Sequence, residues 1–134
     1  MSVPASSKRR LPLDGYSILL VDDEPKILAS MRRLLMRRGA RVHMAESAGE
    51  AIEVYQGGSF HVVVSDINMP SRSGVALARE LRCIEPQLPV VLYSGRLRGL
   101  ARKELDQLPD CPLLYKPVDS TELVDCIRSV AKLS

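Results

Sequence analysis

VVVSDINMPSRSG, residues 62–74, is the stretch on which the fold turns. Val62, Val63 and Val64 make a short apolar run of β-branched residues, of strand length rather than helix length, that ends at the carboxylate of Asp66. Asn68-Met69-Pro70 and then Gly74 read as a loop leading from that strand into a helix. Further short β-type runs lie on either side: Ser17 to Asp22, Arg41 to Ala45, Pro89 to Tyr93 and Leu113 to Tyr115, with the central one running from His61 to Asp66. Counted from Ile18, Arg41, Val62, Val90 and Leu113, they recur every 21 to 28 residues. That interval holds one strand, a turn and one helix, so the chain predicts a five-stranded parallel sheet with crossover helices.

The intervening segments have helical starts and faces. Pro25 suits a first turn, and Ile27, Met31, Leu34 and Leu35 follow a helical stripe that ends before Gly39. Lys26, Arg33 and Arg37 then fall on the outer side. Ser47 with Glu50 is a capping box for a second helix that turns Ala51, Val54 and Tyr55 inward and stops at Gly57-Gly58. A third helix uses Val75, Leu77, Ala78, Leu81 and Ile84, stopping before Pro86. The pattern from Gly95 to Leu108 is weaker. Asp119 with Glu122 opens the last helix, whose stripe is Leu123, Ile127, Val130 and Ala131.

Residues 1–15 combine Pro, Ser and charge without apolar periodicity and read as a flexible leader, leaving residues 16–134 as one domain. The net charge is +3, but Lys8, Arg9 and Arg10 belong to the leader, so the folded part is nearly neutral. A balanced domain with 4% aromatic residues and no Trp argues against direct nucleic-acid binding. No apolar run approaches the roughly 20 residues of a membrane span. Pro12, Asp14 and Gly15 follow the early basic residues where a signal peptide would be hydrophobic, so the expected location is the cytoplasm. Cys83, Cys111 and Cys126 are odd in number and form no C-x-x-C pair, which fits reduced structural thiols.

In an open parallel sheet, chemistry gathers beyond the carboxyl ends of the strands. The polar residues of this chain fall there: Asp22-Asp23 after strand 1, Asp66 after strand 3, Ser94 after strand 4 and Lys116 after strand 5. Two carboxylates about 4 Å apart repel by roughly 4 kcal/mol at an effective dielectric near 20. Three of them need a cation, and an all-oxygen set suits Mg²⁺, with Mn²⁺ as the alternative. Lys116 adds an ammonium and Ser94 a hydroxyl. Around one carboxylate, these groups can stabilise phosphoryl oxygens while the carboxylate attacks phosphorus. Each element alone is ordinary turn or loop chemistry; their joint placement at successive strand ends points to phosphoryl transfer to an aspartate.

ILLVDDEP, VVVSDINMPSRSG, VVLYSG and LLYKP, in this order, resemble the signature segments of the response-regulator receiver domain over about residues 16 to 133. The resemblance implies a doubly wound, flavodoxin-like α/β sheet of order 2-1-3-4-5 with five helices, an order general to this kind of protein. It implies that Asp66 is the phosphate acceptor. Asp23 and Asp66, with the backbone carbonyl of Asn68, would hold Mg²⁺, and Asp22 would act through a bound water. Ser94 and Lys116 would contact the phosphoryl group and report its arrival. A sensor histidine kinase or histidine phosphotransfer protein would be the donor, engaging the helix that carries Lys26, Arg33 and Arg37. The acyl phosphate would shift a pre-existing equilibrium toward a form that binds a downstream protein or pairs as a dimer. Such a chain modifies itself at Asp66 and is not an enzyme in the turnover sense. With the receiver filling nearly the whole chain, the expectation is a single-domain regulator or relay without its own output domain.

Two positions depart from the family pattern. Leu113 stands three residues before Lys116, where a switching aromatic is usual, and Tyr115 shares its side of the strand, so Ser94, Leu113 and Tyr115 form the expected switch set. Arg96, two residues after Ser94, could obstruct a water attacking the phosphoryl group. Two other readings remain at this point. One is a phosphohydrolase resembling the haloacid dehalogenase group, whose D-x-D motif on the first strand differs from the adjacent Asp22-Asp23. The other is a receiver-like module that has lost phosphorylation.

Overall fold

The computed structural model describes residues 10–95 and 103–133. Its sheet contains β1 (Ser17–Val21), β2 (Arg41–Ala45), β3 (Val62–Asp66), β4 (Val90–Ser94) and β5 (Leu113–Tyr115), in the order β2-β1-β3-β4-β5. Every neighbouring pair is parallel, with Ile18 beside Val62, Asp66 beside Tyr93 and Ser94 beside Tyr115. The crossovers are helices α1 (Pro25–Arg37), α2 (Ala48–Gln56) and α3 (Gly74–Ile84), followed by α4, described only as helical residues 103–105, and α5 (Ser120–Val130). This is the doubly wound order 2-1-3-4-5 expected from the chain.

The caps form as the side chains dictate. Ser47 Oγ accepts from the Glu50 amide at 3.1 Å, and Glu50 reaches back to the Glu46 amide rather than to Ser47 itself. Asp119 Oδ2 accepts from Glu122 at 2.9 Å at the head of α5, and Ser73 does the same for Ala76 at the head of α3. Gly39 follows α1 at φ 102°, a left-handed position that favours glycine.

The sheet separates two hydrophobic cores. Ile18, Leu20, Val64, Val91 and Tyr93 face α1 and α5, joining Leu28, Leu35, Leu123 and Ile127. Leu19, Val21, Val63 and Leu92 face the other way, against Ala51, Tyr55, Leu77 and Leu81 of α2 and α3. Three expectations need correction. In α1 the fully packed residue of the first turn is Leu28, while Ile27 is only half-buried, because the stripe is centred one position later. Ile84 lies in the last turn of α3, immediately before the chain turns extended at Glu85, and is 50% exposed. The packed body also begins before Tyr16. Leu13, assigned to the leader, is wholly buried beside Leu35 and Ile127, and its amide donates to the Arg38 carbonyl at 2.8 Å. One apolar anchor in a turn produces no periodicity, so the pattern hides it. Cys83 is exposed, Cys126 half-buried and Cys111 buried, and all three are free thiols.

Candidate functional site

The carboxyl ends of β1, β3, β4 and β5 bring the expected groups together. Asp22, Asp23 and Asp66 each offer an oxygen, and these oxygens lie within 4.8 Å of one another. Asp22 and Asp66 are buried and Asp23 half-buried. Lys116 Nζ stands 3.3 Å from Asp66 Oδ2 and 3.8 Å from Asp22 Oδ2. Its amide donates to the Ser94 carbonyl at 2.9 Å, which ties the end of β5 to that of β4. Asn68 links two elements: its amide donates to Asp66 Oδ1 at 3.3 Å, and its side-chain Nδ2 to Ser94 Oγ at 2.8 Å. The Lys116–Pro117 peptide is cis.

The switch set is divided by burial. Ser94 is fully buried, Leu113 half-buried, and Tyr115, beside Ser94 in register, is 52% exposed. Arg96 lies outside the described residues.

The electrostatics are unbalanced in favour of negative charge. Burial pushes the Asp66 carboxyl above its ordinary value, the charge of Asp22 pushes it further, and Lys116 and the Asn68 amide offset this only in part. A buried cluster of carboxylates that one ammonium does not neutralise fits a hard divalent cation with oxygen ligands. Asp22, Asp23 and Asp66 are the residues that would hold it.

Two site features escape a reading of strand ends. Tyr93, inside the apolar run of β4, donates its hydroxyl to Asp22 Oδ2 at 2.7 Å. The signal was present as a hydroxyl among aliphatic neighbours. Gly74 is the second: a Cβ there would stand 2.2 Å from the Asp66 carbonyl oxygen and 3.0 Å from Ser65 Oγ. The first contact is with backbone, which cannot swing aside. Gly74→Ala is therefore expected to destabilise the fold by about 2 kcal/mol, within the usual range for overpacking. Urea denaturation checks this, and a wild-type midpoint would refute the close approach.

The family model of the response regulator receiver domain matches residues 18–128. The chain belongs to the response-regulator receiver family. It is thus a receiver domain of the two-component systems. Among relatives, the receiver is 33% identical over 116 residues to the sensor kinase CckA of Brucella abortus, matching 85% of this chain and 12% of the kinase. The curated relatives it matches are longer proteins, of which it spans between 12% and 48%. Among solved structures, a response regulator receiver domain protein from Clostridium thermocellum is 29% identical with a TM-score of 0.77, covering 86% of this chain and 93% of that one. The response regulator TrrA of Thermotoga maritima, solved in complex with Mg²⁺–BeF, is 27% identical with a TM-score of 0.76, covering 86% of this chain and 98% of that one. Among the described residues, no helix is long and apolar enough to cross a membrane.

Proposed function

We propose that this receiver accepts a phosphoryl group on Asp66 from a phosphohistidine, and that the acyl phosphate changes what the surface around Ser94 and β5 binds. The observation that supports this most directly is the buried Asp66 carboxylate, 3.3 Å from Lys116 Nζ and within 4.8 Å of Asp22 and Asp23 oxygens. An Asp66 oxygen forms the new bond to phosphorus while the phosphorus–nitrogen bond breaks and its electron pair returns to the imidazole. The raised basicity of Asp66 makes it a better nucleophile. Asp23 and Asp66 with the Asn68 carbonyl, and Asp22 through a bound water, would hold Mg²⁺, which would neutralise charge on the phosphoryl oxygens when bound.

Lys116 provides a mobile positive charge beside Asp66, released from its present contacts with Asp66 and Asp22 as the phosphoryl group arrives. Ser94 and Asn68 are already joined at 2.8 Å, so a new acceptor on Asp66 competes for both and draws the end of β4 toward the site. A groove of about 620 Å³ beside Lys116 is lined by Ile27, Met31 and Leu34 of α1 and by Pro117 and Val118, with Lys26 among the lining residues. Its apolar wall beside a cation suits an amphipathic helix bearing the donor histidine. The chain acts here as a self-modifying acceptor, not as a turnover enzyme.

The test is intact-mass analysis after incubation with acetyl phosphate. One phosphoryl group is expected with Mg²⁺ and none with excess chelator, with peptide mapping placing the label on Asp66. A label on any other residue, or equal labelling with and without the metal, overturns the assignment.

A further inference from the structure

We propose that Tyr93 is a positioning residue of the carboxylate cluster, its hydroxyl fixing Asp22 so that the cluster presents the geometry Mg²⁺ requires. The inference rests on the reading of Asp22, Asp23 and Asp66 as the magnesium site. Tyr93 is wholly buried, and its ring packs in the α1/α5 core with Ile18, Leu20 and Leu123. From β4 the side chain reaches past the end of β3 to β1, where the hydroxyl stands 2.7 Å from Asp22 Oδ2 and 3.3 Å from the Val21 carbonyl. A phenol has one proton to give, and the nearer, charged acceptor receives it.

The other Asp22 oxygen, Oδ1, accepts from the Glu24 amide at 2.9 Å. Both oxygens of this fully buried carboxylate are therefore held by fixed donors, one at the head of α1 and one on β4. The Tyr93 ring also lies beneath Lys116, whose Nζ is 5.4 Å from its centroid. Without the hydroxyl, the donor facing Asp22 Oδ2 is Lys116 at 3.8 Å, the same ammonium that stands 3.3 Å from Asp66. Asp22 then draws the lysine away from Asp66 and turns out of its place in the cluster. Partners that orient ligating groups in this way are commonly worth about 10-fold or more in metal affinity.

The experiment is a Mg²⁺ titration of the unphosphorylated chain followed by amide chemical shifts, with no phosphodonor present. The variants are Tyr93→Phe, which keeps the ring, Asp23→Asn, Asp22→Asn and the double variant Asp22→Asn/Tyr93→Phe. Affinity is expected to fall about 10-fold in Tyr93→Phe and to be lost in Asp23→Asn. The double variant should bind like Asp22→Asn alone, since the hydroxyl acts through that carboxylate. Unchanged or tighter binding in Tyr93→Phe, with binding lost in Asp23→Asn, overturns the role of Tyr93 and leaves the metal site standing. An equal loss from Tyr93→Phe in the Asp22→Asn background also overturns it, because the hydroxyl would then act elsewhere. Wild-type affinity in Asp23→Asn removes the metal site and this inference together.

Discussion

Asp66→Asn is expected to accept no phosphoryl group where the wild type accepts one, and in the absence of divalent ions to melt at a higher temperature. The first half follows from chemistry. An amide nitrogen's lone pair is delocalised and its oxygen is a poor nucleophile, whereas every other member of the cluster remains in place. The second half follows from charge. Asp66 is raised in the folded chain by burial and by Asp22, so the folded state binds its proton more tightly than the unfolded chain does. Stability then falls as pH rises from the ordinary carboxyl value through the raised one, so the cost is greater at neutral pH than in acid. Asparagine removes that cost. The thermal advantage of Asp66→Asn should therefore be larger at neutral pH than in acid and fade toward about pH 3, below the ordinary carboxyl value, where the carboxyl is largely protonated in both states. Melting curves in chelator at the two pH values, together with intact mass, check both halves. Equal labelling of wild type and variant would falsify the acceptor assignment, and an equal melting temperature at neutral pH would remove the claim of stored repulsion.

Leu13→Ala is expected to cost about 3 kcal/mol, in the range for a buried leucine cut to alanine. For a domain of this size that is a fall of roughly 10 °C in melting temperature. Leu13 is 0% exposed and sits among Leu35, Ile127 and Ala131, so its loss opens a cavity between α1 and α5. The turn around it is tied down as well: the Leu11 amide donates to Asp14 Oδ2 at 2.9 Å, and Asp14 packs against Gly39. Leu11→Ala is the natural comparison, because Leu11 is 44% exposed and should lose far less. If the two variants melted together, the buried anchor would have to be abandoned.

Leu13 also shows where reading a chain reaches its limit. The five strands were legible to within one residue because each is a short apolar run bounded by turn residues, and their polar ends marked Asp22, Asp66, Ser94 and Lys116 in register. Ser47 and Asp119 announced their helices because a cap is a contact between near neighbours. Leu13 shares its core with Ile127, far beyond the reach of any local window, and nothing nearby in the chain requires it. Ile84 failed for the opposite reason: its spacing is right for α3, yet it sits in the last turn before the chain leaves the helix. Tyr93 was read as strand, correctly, while its hydroxyl was missed because the acceptor, Asp22, follows β1, two strands away.

The two cores on opposite faces of the sheet give the site a mechanical character. Asp22 and Tyr93 lie toward the α1/α5 body, while Leu92 and Val21 root the neighbouring residues of the same strands in the α2/α3 body. The carboxylates are thus suspended between two abutments, joined through the strands that separate them. Loosening either body is expected to change the spacing of Asp22 and Asp66 without breaking a bond within the cluster, since close-packed interiors transmit strain. A single filled cavity or lost methyl far from the strand ends could then retune the acceptor, a form of adjustment open to sequence drift that leaves every polar residue of the site untouched.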